Sequence, residues 1–126
     1  MGKKPEEWVK QADYDIETAK FMFDGGRYFY AVFMCHLPIE KALKGLYLAR
    51  LKEEPPKVHN LVYFLNKIGA KPPEPIGKFL IKLNEASVAT RYPEDVDKLQ
   101  MDFTQFVVRD ILLRGKEALG WIKEHF

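Results

Sequence analysis

The sequence predicts an all-α fold, an antiparallel up-and-down bundle of four to five helices. Three observations carry this expectation. Apolar residues recur at helical spacing along most of the chain, glycine and proline pairs punctuate those stretches, and no segment alternates long enough to make a strand. The chain has 126 residues, which fits one domain able to bury a core of its own, and the expected unit is residues 1–126.

The first helix is expected over Pro5 to Asp24. Pro5 suits the first helical position, Glu6 and Glu7 suit the positive end of the helix dipole, and Gly25-Gly26 supplies the stop. Trp8, Ala12, Ile16, Ala19 and Phe23 form its buried stripe. Asp15 lies at the edge of that stripe and needs a partner, for which Arg27, Lys41 and Lys44 are candidates. A short turn then makes the next helix antiparallel to the first.

That second helix, Tyr28 to Arg50, is the centre of the design. Its first third is apolar on nearly every side, which for a helix means burial all round. Its second half carries a stripe of Ile39, Leu43, Leu46 and Tyr47, with His36 and Glu40 on a neighbouring line. Pro38 removes one backbone donor and crowds the carbonyl of Met34, so a kink is expected one turn upstream. A polar connection through Pro55-Pro56 leads to a shorter helix from about His59 to Ile68, stopped by Gly69. The Lys71 to Pro75 segment is a second stiff break. Pro75 opens a fourth helix, with Ile76, Phe79, Leu80 and Leu83 on its stripe, which closes near Thr90-Arg91-Tyr92-Pro93. Glu94 to Gln100 reads as a loop or short turn. Met101 to Glu124 reads as the last helix, in which Gly115 and Gly120 suggest close helix contacts.

Composition excludes more than it assigns. Twenty basic and eighteen acidic residues give a net charge of +2, so no overall field demands nucleic acid. Cys35 is the only cysteine; it forbids an internal disulfide and reads as a small buried hydrophobe. The N-terminus MGKKPEEW opens directly into an amphipathic stretch without a signal-peptide core, and no run approaches the roughly 20 apolar residues that span a bilayer. The expectation is a cytoplasmic protein with no membrane association.

Phosphate-binding and dinucleotide-binding glycine motifs are absent, as is the Glu-x-x-His pair of helical di-iron sites. No metal or other cofactor is expected. His36 and Glu40, one turn apart, form either two ligands of a metal or, by default, a self-satisfied polar network at a helix seam. His59 or Asn60 is placed to cap the third helix, and the His59 imidazole is alternatively an acid or base near neutrality. In Arg91-Tyr92-Pro93 a restrained loop presents a guanidinium beside an aromatic ring, a pair suited to holding phosphate and stacking a base. The competing reading pairs Arg91 with Glu94, Asp95 or Asp97 and packs Tyr92 on the bundle. Lys41 and Lys44 share a face, with Glu40 positioned to pair with Lys44 at i, i+4; such a face is usually solvated.

Taken in order, these pieces resemble a known family. Trp8, Ala12, Asp15-Ile16 and Ala19, then Gly26-Arg27-Tyr28, Ile39-Glu40-Lys41-Ala42-Leu43-Lys44, His59-Asn60-Leu61, Arg91-Tyr92-Pro93 and the closing Ala118 to Trp121-Ile122 resemble the HEPN domain across essentially the whole chain. The resemblance implies a helical bundle like the C-terminal domain of kanamycin nucleotidyltransferase. It also implies a homodimer, nucleotide binding, and a minimal nucleotidyltransferase as partner in a toxin–antitoxin-like pair. Many members are metal-independent ribonucleases with an arginine followed after four to six residues by a histidine. No arginine of this chain has that histidine; Val32, Phe33 and Met34, for example, fill the positions after Arg27. The expectation is therefore a binding module without catalytic residues. Its nucleotide site is drawn from Asp15, His36, Glu40, Lys44, His59, Arg91 and Tyr92. The alternatives are a ribonuclease using a non-standard pair, such as Arg91 with His59 or His36, and a purely structural adaptor.

Overall fold

The computed structural model describes residues 2–126, and all of their regular structure is helical. Helix α1 spans Pro5–Asp24, α2 Tyr28–Leu51, α3 Leu61–Ile68, α4 Glu74–Arg91, α5 Val96–Asp102 and α6 Gln105–Lys123. The bundle is as expected, and its first two helices begin at the residues that the sequence indicates. Among the described residues its helices number six, because Val96–Asp102, read as a loop or turn, winds into α5. Asp95 caps that helix, its Oδ1 accepting from the Lys98 amide at 3.1 Å, and Leu99 is the one buried anchor. The last helix consequently starts at Gln105, four residues later than the apolar pattern suggests, with Thr104 as its cap.

Helix α2 packs against all five others, which is why so much of its surface is apolar. It runs unbroken through Pro38, whose ring is buried. Between α1 and α2 the chain turns on Gly26 at φ +78°; Arg27 N–H reaches Met22 O at 2.8 Å and Gly26 N–H reaches Phe23 O at 3.0 Å. This pair of bonds satisfies the last carbonyls of α1 and reverses the chain at once. Ala12 and Ala19 then face α2 with no exposed surface, so the two backbones approach closely.

The buried face of α6 comprises Val108, Leu112, Gly115, Ala118, Leu119 and Ile122. Gly115 is a true close contact, since a Cβ there would lie 2.2 Å from Cys35 Sγ on α2. Gly120 is not; a Cβ there meets nothing. The bulkier Phe106 and Leu113, also on α6, point outward at 80% and 61% exposure. Among the described residues no helix is long and apolar enough to cross a membrane.

Candidate functional site

Helix α2 presents His36, Glu40 and Lys44 one turn apart, so the three side chains form a line. The sequence suggested a solvated Glu40–Lys44 pair, but both residues are buried. The correction has a packing cause: Lys44 Nζ sits 5.9 Å from the Trp8 ring centre and 5.8 Å from that of Phe64, so α1 and α3 roof the pair. A buried carboxylate must be matched, and Glu40 is. Its Oε2 lies 3.0 Å from Lys44 Nζ, and its Oε1 accepts from His59 Nδ1 at 2.9 Å. Because an ionised carboxylate can only accept, the His59 proton belongs on Nδ1. The other ring nitrogen, Nε2, is left as a free lone pair on a side chain that is 58% exposed.

A second chain of bonds fixes His36. Asn60 caps α3, its Oδ1 accepting from the amides of Val62 at 2.9 Å and Tyr63 at 3.3 Å. His59 does not cap; the helix begins two residues after it. Asn84 on α4 donates from Nδ2 to that same Asn60 oxygen at 2.9 Å. Its own Oδ1 must then be the acceptor for Leu61 N–H at 3.0 Å and for His36 Nε2 at 3.3 Å. His36 therefore carries its proton on Nε2 when neutral. Nδ1 holds a lone pair, has no hydrogen-bond partner among the described residues, and faces Glu40 Oε1 at 3.8 Å. Burial lowers the His36 pKa below the ordinary imidazole value. The Asn84 bond and the Glu40 charge oppose this, while Arg91 and His59 add to it.

The opposite wall comes from the end of α4. Arg91 lies over the Phe33 ring, Cζ to ring centre 4.9 Å, a cation–π arrangement that holds the guanidinium in place. Its buried Nε has no partner, and no carboxylate among the described residues comes within ion-pair distance of it. Pairing with Glu94, Asp95 or Asp97 is thus not what holds Arg91. Tyr92 is 71% exposed instead of packed on the bundle.

His36, His59, Arg91 and Tyr92 line one cleft of about 250 Å³, together with Asn60, Asn84, Ser87 and Val88. Glu40 and Lys44 stand behind it as support. Asp15 is not brought there; it pairs with Lys41 across α1 and α2, Nζ to Oδ2 2.8 Å. Asn84 is the residue that sequence reasoning missed. The signal was present, since Asn84, Ser87 and Arg91 fall at i, i+3, i+7 and trace a polar line beside the apolar stripe of α4. A larger groove of about 480 Å³ lies between α4 and α6, but it is mainly apolar, and Lys78 and Arg114 on its rim are already paired with Glu74 and Asp110. Among the described residues no set of three or more His, Cys, Asp or Glu side chains is arranged to hold a metal ion.

Comparison with known proteins sets this geometry in a family. The model of the HEPN domain matches residues 5–125. The fold is similar to the crystal structure of an archaeal HEPN homologue, at 26% identity and a TM-score of 0.77 over 98% of each chain. It is also similar to that of a protein from Thermus thermophilus, at 21% identity and a TM-score of 0.82 over 97% of this chain and 98% of the other. No curated protein sequence matches significantly. A family match over nearly its whole length, on a helical bundle of the same shape, makes this chain a member of the HEPN domain family.

Proposed function

We propose that the cleft between α2, the start of α3 and the end of α4 binds a nucleotide. One observation carries the reading: a guanidinium with a buried, unpartnered Nε shares a cleft with a buried, unpartnered imidazole nitrogen and an exposed aromatic ring. Arg91 holds the phosphate through charge-assisted bonds, Tyr92 stacks on the base, and the Asn60–Asn84 network keeps the polar wall rigid. Calorimetric titration with ATP, GTP and AMP, with and without magnesium, tests this on wild type and Arg91→Ala. Micromolar binding that the substitution removes is the expected result. Equal binding by both proteins would place the ligand elsewhere.

A second reading is favoured by the Glu40–His59 bond, which leaves His59 Nε2 as an oriented base in the cleft that Arg91 also lines. In that reading the protein is a metal-independent ribonuclease with a non-standard Arg91/His59 pair. RNA cleavage that persists in chelator and vanishes in His59→Ala would establish it, and an inert preparation at high protein concentration would remove it. Family membership also supports a homodimer and a nucleotidyltransferase partner in a toxin–antitoxin-like pair. Light scattering of the purified protein and co-purification with the candidate partner test those assignments.

A further inference from the structure

The nucleotide reading rests on two buried nitrogens and gives a bonding partner to the arginine alone. His36 Nδ1 carries a lone pair and lies 3.8 Å from Glu40 Oε1, so two acceptors stand close to each other without a proton between them. The atoms bonded around it are already committed. His36 Nε2 is committed to Asn84, Glu40 Oε2 to Lys44, and Glu40 Oε1 already accepts from His59 on another side. A carboxylate oxygen can accept two donors, so a proton on His36 Nδ1 would complete the set with no change of partner elsewhere. At 3.8 Å the two atoms stand at ion-pair distance and too far apart for a hydrogen bond, so a proton on Nδ1 would draw them together by a few tenths of an ångström.

Resting on the nucleotide reading above, we infer that phosphate and a proton bind this cleft together: the phosphate goes to Arg91, the proton to His36 Nδ1, where it forms an ion pair with Glu40. The charged and titratable groups facing His36 make the coupling follow. Glu40, from α2, favours the proton. Arg91, from α4, and His59, from the segment before α3, oppose it, and burial opposes it further. A phosphate seated on Arg91 cancels that opposing cation and adds negative charge to the same cavity. The balance then tips to imidazolium. By linkage the converse holds: a protonated His36 raises the affinity for phosphate, and binding weakens as pH rises, by at most tenfold per pH unit. His36 thus acts through charge on a ligand that Arg91 holds, and the burial of an imidazole at this depth has a purpose beyond filling space.

The test is long-range proton–nitrogen NMR of the three histidine rings, with AMP as the probe, titrated from pH 8 to 5. His36 is identified by the signals lost in His36→Gln. In the free protein its ring should be the neutral tautomer protonated on Nε2. At saturating AMP its titration midpoint should move up by about one pH unit or more. If AMP shifts the Arg91 side-chain signals while the His36 midpoint stays in place, the coupling is wrong and the nucleotide site survives. If AMP shifts neither, the site itself is wrong, and the coupling falls with it. Arg91→Ala without ligand gives an independent check, because loss of that cation should also raise the His36 midpoint; an unchanged midpoint overturns the inference.

Discussion

Cys35 and His36 are neighbours in the chain and, at about 100° per residue, turn to different seams of the same buried helix. The Cys35 seam, against α6, is dry. Sγ contacts Ile111 O at 3.8 Å and fills the space that a side chain on Gly115 would take. Burial pushes this thiol up to about 12. The His36 seam, against α4, is polar and leaves two buried nitrogens unpartnered, His36 Nδ1 and Arg91 Nε. The dry seam is complete in itself, whereas the polar one is bonded nearly to completion and left open at one nitrogen each of two residues that line the cleft. Close packing sets the geometry of α2 at one seam so that the other can hold groups in fixed positions.

Substitutions should separate the two seams by size of effect. The largest is expected for Glu40→Ala, which strips Lys44 and His59 of their buried acceptor and strands an ammonium beneath Trp8 and Phe64. A loss of about 3–5 kcal/mol is expected, measured by urea unfolding. A loss below 1 kcal/mol would mean that Lys44 escapes to water easily and that the network is not the rigid support described. Next comes Gly115→Ala, whose new methyl group must displace Cys35 Sγ; overpacking of this kind costs about 1–3 kcal/mol. Adding Cys35→Ala should return most of that, and a double variant no better than the single one would show that the backbone, not the sulfur, is the obstacle.

A smaller effect concerns pH. His36 is held below its unfolded pKa, chiefly by burial, so the unfolded chain binds the proton more readily than the fold does. Its contribution to stability is therefore full above the unfolded value of about 6.5 and declines as pH falls below it. Thermal unfolding between pH 7.5 and 5 should show this decline in wild type and a shallower one in His36→Gln. Parallel curves would remove His36 as the cause. Last, the native thiol should resist alkylation: at pH 8, iodoacetamide should label Cys35 only after denaturant is added, as read by mass spectrometry. Rapid native labelling would mean that the dry seam opens.

Much of the bundle was determined by the sequence alone. Proline and glycine positions, period-3.6 stripes and the all-round apolar run of Tyr28 to Met34 specify where helices start, which one is central and which faces are buried, because these are local or one-dimensional properties. The short α5 escaped, since its stability comes from the Asp95 cap and a single anchor, Leu99, and not from a stripe. The Arg91-Tyr92 pair and the His36–Glu40 line were also legible. What only the tertiary structure decided is who meets whom. Nothing in the spacing distinguishes Asp15, which pairs with Lys41 away from the cleft, from Glu40, which supports it, and nothing local joins Asn84 to Leu61 and His36. Those contacts depend on how α3 and α4 close on α2, and burial then turns an ordinary surface-type Glu–Lys pair into the fixed anchor of a site. Helix periodicity tells which side of a helix is buried, but a proton's position depends on atoms from three segments brought within 3–4 Å of one another.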